Sequence, residues 1–150
     1  MFVIYILAAA IVAFVIYVRI APSNPSIWHV DPATVSKTAK PNQYLLSAAS
    51  SADGPAPTFA LSPDALSEKL DTVARSEGAT VLAGSATQGH VTYVVRTKTM
   101  AYPDYISVRV SPEGEGAKLD IYSRSRFGRS DLGVNKARVR RWLKKIGLGE

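Results

Sequence analysis

The sequence contains no cysteine, which excludes disulfides, thiolate metal sites and a cysteine nucleophile. Histidine is nearly as scarce, since only His29 and His90 are present. A serine nucleophile needs a base within hydrogen-bond reach, and the chain has no Gly-x-Ser-x-Gly segment. Asp, Glu and His do not cluster at the spacing of metal ligands either. We therefore expect no catalytic residue, no metal and no cofactor, although an enzymatic activity is not excluded.

Charge is absent from the first eighteen residues, and Arg19 is the first charged side chain. About 20 helical residues cross the hydrocarbon core of a bilayer, so residues 1–20 are expected to form a transmembrane anchor. A cleaved signal peptide is the alternative, but a basic start and a small-residue cleavage site are both missing. Arg19 and the two lysines that follow weakly favour a cytoplasmic domain.

The next segment, residues 21–42, is rich in proline and polar residues and is expected to be a linker or an irregular wrap. Its four prolines are expected to block helix formation. Trp28 is the exception in this polar stretch. We expect Trp28 either to pack against the domain or to lie at the lipid headgroups, and the sequence does not decide between them.

Residues 43–150 have the pattern of one α+β domain. Ser62, Pro63 and Gly78 are start and stop signals for a first helix, and a second is expected from Asn135 to Ile146. Alternating apolar residues predict an antiparallel sheet with both helices on one face. The expected strands are Gln43–Ala48, Thr58–Leu61, Thr80–Ala86, His90–Lys98, Tyr105–Ser111 and Ala117–Arg124.

Positive charge is concentrated at the C-terminal end. Residues 118–150 hold ten Lys and Arg against three acidic residues, whereas residues 1–117 hold eight against nine. Nucleic acid is not an expected partner, because the last helix has no aromatic residue between its basic ones except Trp142. An anionic lipid headgroup or an anionic ligand is the more natural partner for such a surface.

One motif joins the last strand to the last helix. Asp131 and Asn135 are suited to capping that helix, and Arg124, Arg126 and Arg129 lie just before its N-terminus, where anions are favoured. Two interpretations remain open. Either Arg126 or Arg138 pairs with Asp131 or Asp104 and stabilises the turn, or the arginines bind an anion. The candidate structural or anion-binding residues are Ser123, Ser125, Arg126, Gly128, Ser130, Asp131, Gly133, Asn135 and Arg138.

These nine residues resemble the Ser-x-Ser-Arg-x-Gly-x-Ser-Asp-x-Gly-x-Asn-x-x-Arg signature of DUF1499, a bacterial and chloroplast family of domains of unknown function. Pro103-Asp104 resembles an Asp-containing loop of the same family. The resemblance covers roughly residues 60–148 and implies a membrane-associated or exported α+β domain, without implying a reaction. Because relatives often carry export signals, the resemblance favours an extracytoplasmic domain at the bacterial inner membrane.

Two classes of function follow from these patterns. The first is a non-catalytic accessory protein, held in the lipid bilayer by residues 1–20, that binds a membrane protein complex or an anionic partner. The second is an enzyme or carrier that acts on a small anionic or lipid substrate near the Arg-rich turn. A ligand-sized pocket with a free Arg126 would favour the second class, and a flat basic face at membrane level would favour the first.

Overall fold

The structure, a computed structural model, describes residues 1–98 and 100–147. The last three residues of the predicted domain, 43–150, lie outside this part of the chain. The described residues form four α-helices, six strands and one short 3-10 helix, Ala86–Gln88, between the third and fourth strands. In chain order the α-helices and strands are α1 (Phe2–Ile20), α2 (Pro25–Trp28), β1 (Gln43–Leu46), β2 (Thr58–Phe59), α3 (Pro63–Ser76), β3 (Thr80–Ser85), β4 (His90–Arg96), β5 (Pro103–Glu113), β6 (Gly116–Ser125) and α4 (Val134–Ile146).

The strands form one antiparallel six-stranded sheet in the order β1-β6-β5-β4-β3, with β2 also paired to β6. The predicted α+β class with an antiparallel sheet is therefore confirmed. The longest strand, β5, extends two residues beyond its predicted limits at each end. Its ladder with β6 runs from the pair Asp104 and Ser125 to the pair Glu113 and Gly116, so the hairpin continues into residues that the sequence pattern assigned to loops.

The number of helices was predicted wrongly: the described residues form four α-helices, not one anchor and two domain helices. The additional helix, α2, is a single turn that begins at Pro25. Proline does not block a helix at its first position, because the N–H that it lacks would have no partner there. Asn24 completes the start of the turn, since its side-chain oxygen accepts the backbone N–H of Ser26 at 3.0 Å.

One face of the sheet forms the hydrophobic core with α3 and α4. Apolar residues repeat along both helices and place one stripe of each against the sheet. Trp142 of α4 is fully buried, and its ring meets that of Tyr93 edge to face at 5.9 Å. Glu77, just after α3, accepts the Trp142 indole N–H at 3.0 Å and binds Arg141 and Lys145 of α4. This carboxylate therefore holds the two helices together.

The opposite face of the sheet is covered by residues 22–42, here called the strap. Trp28 stacks on Tyr105 with ring centroids 4.0 Å apart, which decides between the two positions expected for this residue. His29 Nδ1 lies 2.8 Å from Thr92 Oγ1, and Asp31 forms an ion pair with Arg109 at 2.8 Å. The segment was expected to be either a linker or an irregular wrap, and the structure has it packed on the sheet.

Helix α1 projects from this fold, and of its residues only Val18 is buried. Its length and mean hydropathy of 2.6 are sufficient to cross a membrane, a property that N-terminal signal sequences share. The last turns of α1 contact the domain. Phe14 and Tyr17 meet the ring of Phe127 edge to face at 6.3 and 6.2 Å, and Arg96 donates to the Val18 carbonyl at 3.4 Å.

Candidate functional site

The turn between β6 and α4 carries the signature residues and has an unusual backbone. Gly128, Leu132 and Gly133 all adopt positive φ, at 83°, 52° and 81°. Glycine accommodates this left-handed region readily, whereas a leucine there is strained. Gly133 is also the residue that precedes α4, and it has no side chain with which to cap the helix. The first N–H groups of α4 therefore need an acceptor from elsewhere in the turn.

Asp131 supplies that acceptor. Its Oδ2 accepts the backbone N–H of Asn135 at 2.7 Å, and its Oδ1 accepts the N–H of Gly133 at 3.1 Å. The same Oδ2 accepts the side-chain amide of Asn135, also at 2.7 Å. A carboxylate at a helix N-terminus is further stabilised by the helix dipole. Asp131 thus caps α4, while Asn135 lies within the first turn of the helix.

Asn135 is fully buried and connects three parts of the chain. Its side-chain oxygen accepts the Ser123 hydroxyl of β6 at 2.6 Å. Its amide group donates to the Ser125 hydroxyl at 3.0 Å and to the Asn42 carbonyl of the strap at 3.1 Å. Buried polar groups of this kind are stabilising when every donor and acceptor has a partner. The side chain therefore joins α4, β6 and the strap.

Arg138 completes this network from the next turn of α4. It forms an ion pair with Asp104 at 2.6 Å, and the two side chains are only 6% and 1% exposed. Arg138 also donates to the Asn135 side-chain oxygen at 3.0 Å and to the Ser123 hydroxyl at 3.1 Å. Of the pairs considered from the sequence, the structure contains the one between Arg138 and Asp104. Within the described residues, the other Asp104 oxygen, Oδ1, is buried without a partner.

The arginines of the turn do not converge on one point. Arg126 lies across the sheet from Asp131 and donates to the Pro22 carbonyl at 2.9 Å, so neither predicted carboxylate is its partner. Arg124 is buried against Trp28 and donates to the Trp28 carbonyl, and burial lowers its pKa to about 10. Arg129 is exposed. The structure therefore forms no anion site from these three guanidinium groups.

The remaining signature residues shape the turn. The Ser130 hydroxyl accepts the N–H of Leu132 at 3.3 Å, and the Gly128 carbonyl accepts the Asn42 side-chain amide at 2.8 Å. Asn42 was not among the residues expected from the sequence. A single asparagine in a proline-rich segment gives no periodicity, and only its position in the fold shows that it touches both Asn135 and the turn.

Histidine is not near the signature serines. The ring of His29 in the strap stacks on that of His90 in β4, with centroids 4.1 Å apart. Burial lowers the pKa of His29, and the neighbouring His90 and Arg109 lower it further, although Asp31 opposes this. Across residues 1–98 and 100–147, no group of three or more His, Cys, Asp or Glu side chains is arranged to hold a metal ion.

Two open grooves flank α4. One, of about 410 Å³, is lined by the start of α4 and the residues facing it: Pro41, Gln43, Tyr44, Asp53, Ser130, Asp131, Gly133, Lys136 and Arg140. The other, of about 770 Å³, is lined by Ser76, Glu77, Gly78, Val95, Arg96, Thr97, Lys98, Val134, Arg138 and Arg141. Arg138 and Arg141 in the larger groove are already paired with Asp104 and Glu77.

A family model described as "Protein of unknown function (DUF1499)" matches residues 29–146. The chain belongs to the DUF1499 family. The resemblance inferred from residues 123–138 is thereby confirmed, and the matched region begins earlier than the residues that suggested it. The DUF1499 match includes most of the strap from His29 onward, in agreement with the packing of that segment on the sheet. No curated protein matches this DUF1499 chain significantly.

Proposed function

We propose that this DUF1499 protein is a membrane-anchored, non-catalytic binding domain that serves as an accessory subunit of a membrane protein complex. One observation carries the proposal: the polar groups of the signature bind one another, from Asp131 through Asn135 and Arg138 to Asp104. Groups held in this way stabilise a surface but do not activate a substrate. The apolar helix α1, exposed along most of its length, supplies the anchor.

The partner surface in this proposal is the basic side of α4. Lys136 and Arg140 are exposed and line the 410 Å³ groove at the start of that helix. Lys136 also lies 5.9 Å from the ring centroid of Tyr44, which gives this surface an aromatic component. Exposed cations beside an aromatic ring suit an acidic protein segment, because charge steers the approach and the ring adds contact area.

Affinity capture of the tagged full-length protein after extraction in mild detergent tests the proposal. We expect specific membrane proteins to be enriched with the wild type and lost with Lys136→Glu combined with Arg140→Glu. Lys118→Glu, on β6, is the matched control and should retain them. Equal capture by all three proteins, or no enriched membrane protein in any of them, would contradict an accessory role for this surface.

The proposed location is the bacterial inner membrane, with a single uncleaved span and an extracytoplasmic domain. This orientation rests on the export signals that relatives often carry. Arg19 and the lysines that follow give a weak bias in the opposite direction, towards a cytoplasmic domain. A C-terminal alkaline phosphatase fusion should be active, whereas a C-terminal green fluorescent protein fusion exported by the same route should be dark. The opposite pattern would place the domain in the cytoplasm and leave the anchor itself unaffected.

An enzyme or carrier for a small anionic or lipid substrate is the alternative function. It has less support, because Arg124 and Arg126 already donate to strap carbonyls at Trp28 and Pro22. A substrate at the turn would have to displace these contacts. Binding of a small anionic or lipid ligand by the purified protein, lost in Arg126→Ala with unchanged stability, would favour this alternative over the accessory role.

A further inference from the structure

The contacts of α1 determine which part of the domain lies next to the membrane. Phe14 is six residues before the end of α1 at Ile20, and its ring meets those of Tyr102 and Phe127 at 6.5 and 6.3 Å. Tyr102 and Phe127 also contact each other at 5.5 Å. These two rings belong to the β4–β5 loop and to the signature turn. The two loops therefore lie against the side of α1, and not beyond its end.

The length of α1 indicates how deep in the membrane this contact lies. At 1.5 Å per residue, its 19 residues extend about 28 Å, so the whole helix is needed to cross a hydrocarbon core of about 30 Å. Phe14 then lies about 9 Å below the end of the helix. The rings in contact with Phe14 therefore reach below the boundary between headgroups and acyl chains, and the exposed ends of the two loops lie nearer to that boundary.

Apolar side chains are exposed in the same two loops. Leu132 is 94% exposed, and its positive φ of 52° keeps it on the outside of the turn. Met100 is 37% exposed, and Val134, the first residue of α4 just after the turn, is 45% exposed. A small cavity of about 120 Å³ is lined by residues of both loops, among them Thr97, Tyr102, Phe127 and Gly128, so the loops are neighbours in space. Apolar side chains that are exposed together, rather than singly, are typical of interaction and membrane sites.

Basic residues lie in the same two loops. Lys98 and Arg129 are exposed, and Arg126 lies over the ring of Phe127 at 5.2 Å. Long cationic side chains beside apolar and aromatic ones match the chemistry of an anionic headgroup layer, because the alkyl stems lie in the apolar region while the charges reach phosphate. An acidic protein segment would match the charges, but would leave Leu132 without an apolar environment.

We infer that the β4–β5 loop and the signature turn form a lipid-contact face, which inserts at the headgroup level beside α1 and prefers anionic lipid. The inference rests on the proposed membrane span of α1. Leu132, Met100 and Phe127 supply its apolar part, and Lys98 and Arg129 bind the phosphates. The signature turn thus holds a second membrane contact in place, in addition to capping α4.

The absence of cysteine allows a direct test with the full-length chain in vesicles of phosphatidylcholine and phosphatidylglycerol. A spin label is attached to one introduced cysteine at a time, and its depth is measured from collisions with oxygen and with a water-soluble nickel complex. Labels at Leu132→Cys and at Met100→Cys should lie at the headgroup boundary. A label at Glu115→Cys, in the turn roughly 35 Å away at the other end of β5, should lie in water.

A label at Leu7→Cys in α1 separates the inference from the proposed anchor. A Leu7 label deep in the hydrocarbon together with Leu132 and Met100 labels in water would overturn the lipid-contact face and leave the anchor standing. A Leu7 label in water would overturn the anchor, and the inference with it. In the supporting case, Lys98→Glu combined with Arg129→Glu should move the Leu132 label outward in the anionic vesicles. In vesicles of phosphatidylcholine alone, the same two substitutions should leave its depth unchanged.

Discussion

Asp131 illustrates how a single carboxylate replaces a missing helix cap. Gly133 occupies the capping position before α4 but has no side chain that could accept a hydrogen bond. Asp131 takes this role and accepts the N–H groups of Gly133 and Asn135. The sequence pattern predicted a capping role for Asp131, and the hydrogen bonds confirm it. The same pattern left open whether an arginine pairs with Asp131 or with Asp104. Arg138 pairs with Asp104, because the register of β5 and β6 places Asp104 beside Ser125 on the face that α4 covers.

The substitution Asp131→Ala should therefore destabilise the domain by about 2 kcal/mol, since a charged cap and its hydrogen bonds are lost. For a domain of this size, that loss lowers Tm by roughly 5–10 °C. Thermal unfolding of the full-length protein in detergent micelles measures it. Arg129→Ala is the control, because Arg129 is exposed, and it should lower the free energy of unfolding by less than about 0.5 kcal/mol. An Asp131→Ala protein that melts within a degree of wild type would show that this residue serves binding or chemistry.

The positions of the Arg124 and Arg126 side chains could not be predicted from the sequence. Both follow the alternation of β6 and point to the face opposite Asn135 and Ser123, where the strap lies. A pattern of nearby cations in the sequence cannot show that the sheet separates their guanidinium groups from Asp131. Asn42 was missed for the complementary reason, because its partners Gly128 and Asn135 are 86 and 93 residues away in the chain.

At the scale of elements, the strap is the segment whose packing the sequence left most open. Its composition correctly predicted little regular structure, but composition does not reveal whether such a segment packs. Trp28 was the relevant signal, and the structure stacks it on Tyr105. The helices α3 and α4 and the antiparallel ladder were predictable because their caps, glycines and apolar periodicities are local features.

Trp28→Ala should release the strap from the sheet. The substitution removes the stacking contact with Tyr105. We expect the free energy of unfolding to fall by roughly 2–3 kcal/mol, less than for the loss of a fully buried tryptophan. Limited proteolysis of the full-length protein should then cut within residues 22–42. Ile27→Ala is the matched control, because Ile27 is 61% exposed beside Trp28 and should leave the strap protected. Equal cleavage of the two variants would contradict the packing role of Trp28.

The histidine pair makes the attachment of the strap sensitive to acid. Burial lowers the pKa of His29 below 6.5, with a further contribution from His90, so the folded state resists protonation of His29 more than the unfolded state does. The stability that depends on neutral His29 is fully present above about pH 6.5. It is lost as the pH falls from there towards the lowered pKa.

Thermal melts between about pH 7.5 and pH 5.5 measure this effect, and Tm should fall as the pH is lowered. His29→Gln keeps a polar side chain opposite Thr92 but removes the titration, so its Tm should depend less steeply on pH in this range. The two proteins should differ in slope whatever the absolute stability of the variant. Identical slopes would mean that His29 does not contribute to the pH dependence.

At the scale of the molecule, α1 gives the most direct prediction. An uncleaved span should leave the protein in the membrane pellet after washing with alkaline carbonate, because its apolar length remains in the bilayer. N-terminal sequencing of the mature protein should begin at residue 1 or 2. Release by carbonate, or a mature protein that begins after Ile20, would show that the segment is peripheral or a cleaved signal. A variant with Leu7→Asp and Ile11→Asp is the control that should no longer be retained.

If α1 spans the membrane as proposed, its contact with the domain also restricts how the protein can reach a partner. Phe127 meets Phe14 and Tyr17 of α1, and Arg126 binds the Pro22 carbonyl just after the helix, so no free segment separates anchor from domain. A flexible tether would let a domain sample a hemisphere of solution around its anchor. A domain mounted without one rotates and translates with its helix in the plane of the bilayer. Encounters with other membrane proteins would then follow two-dimensional diffusion, with the domain at a fixed height above the bilayer. Partners that present an acidic segment at that height would be met most often.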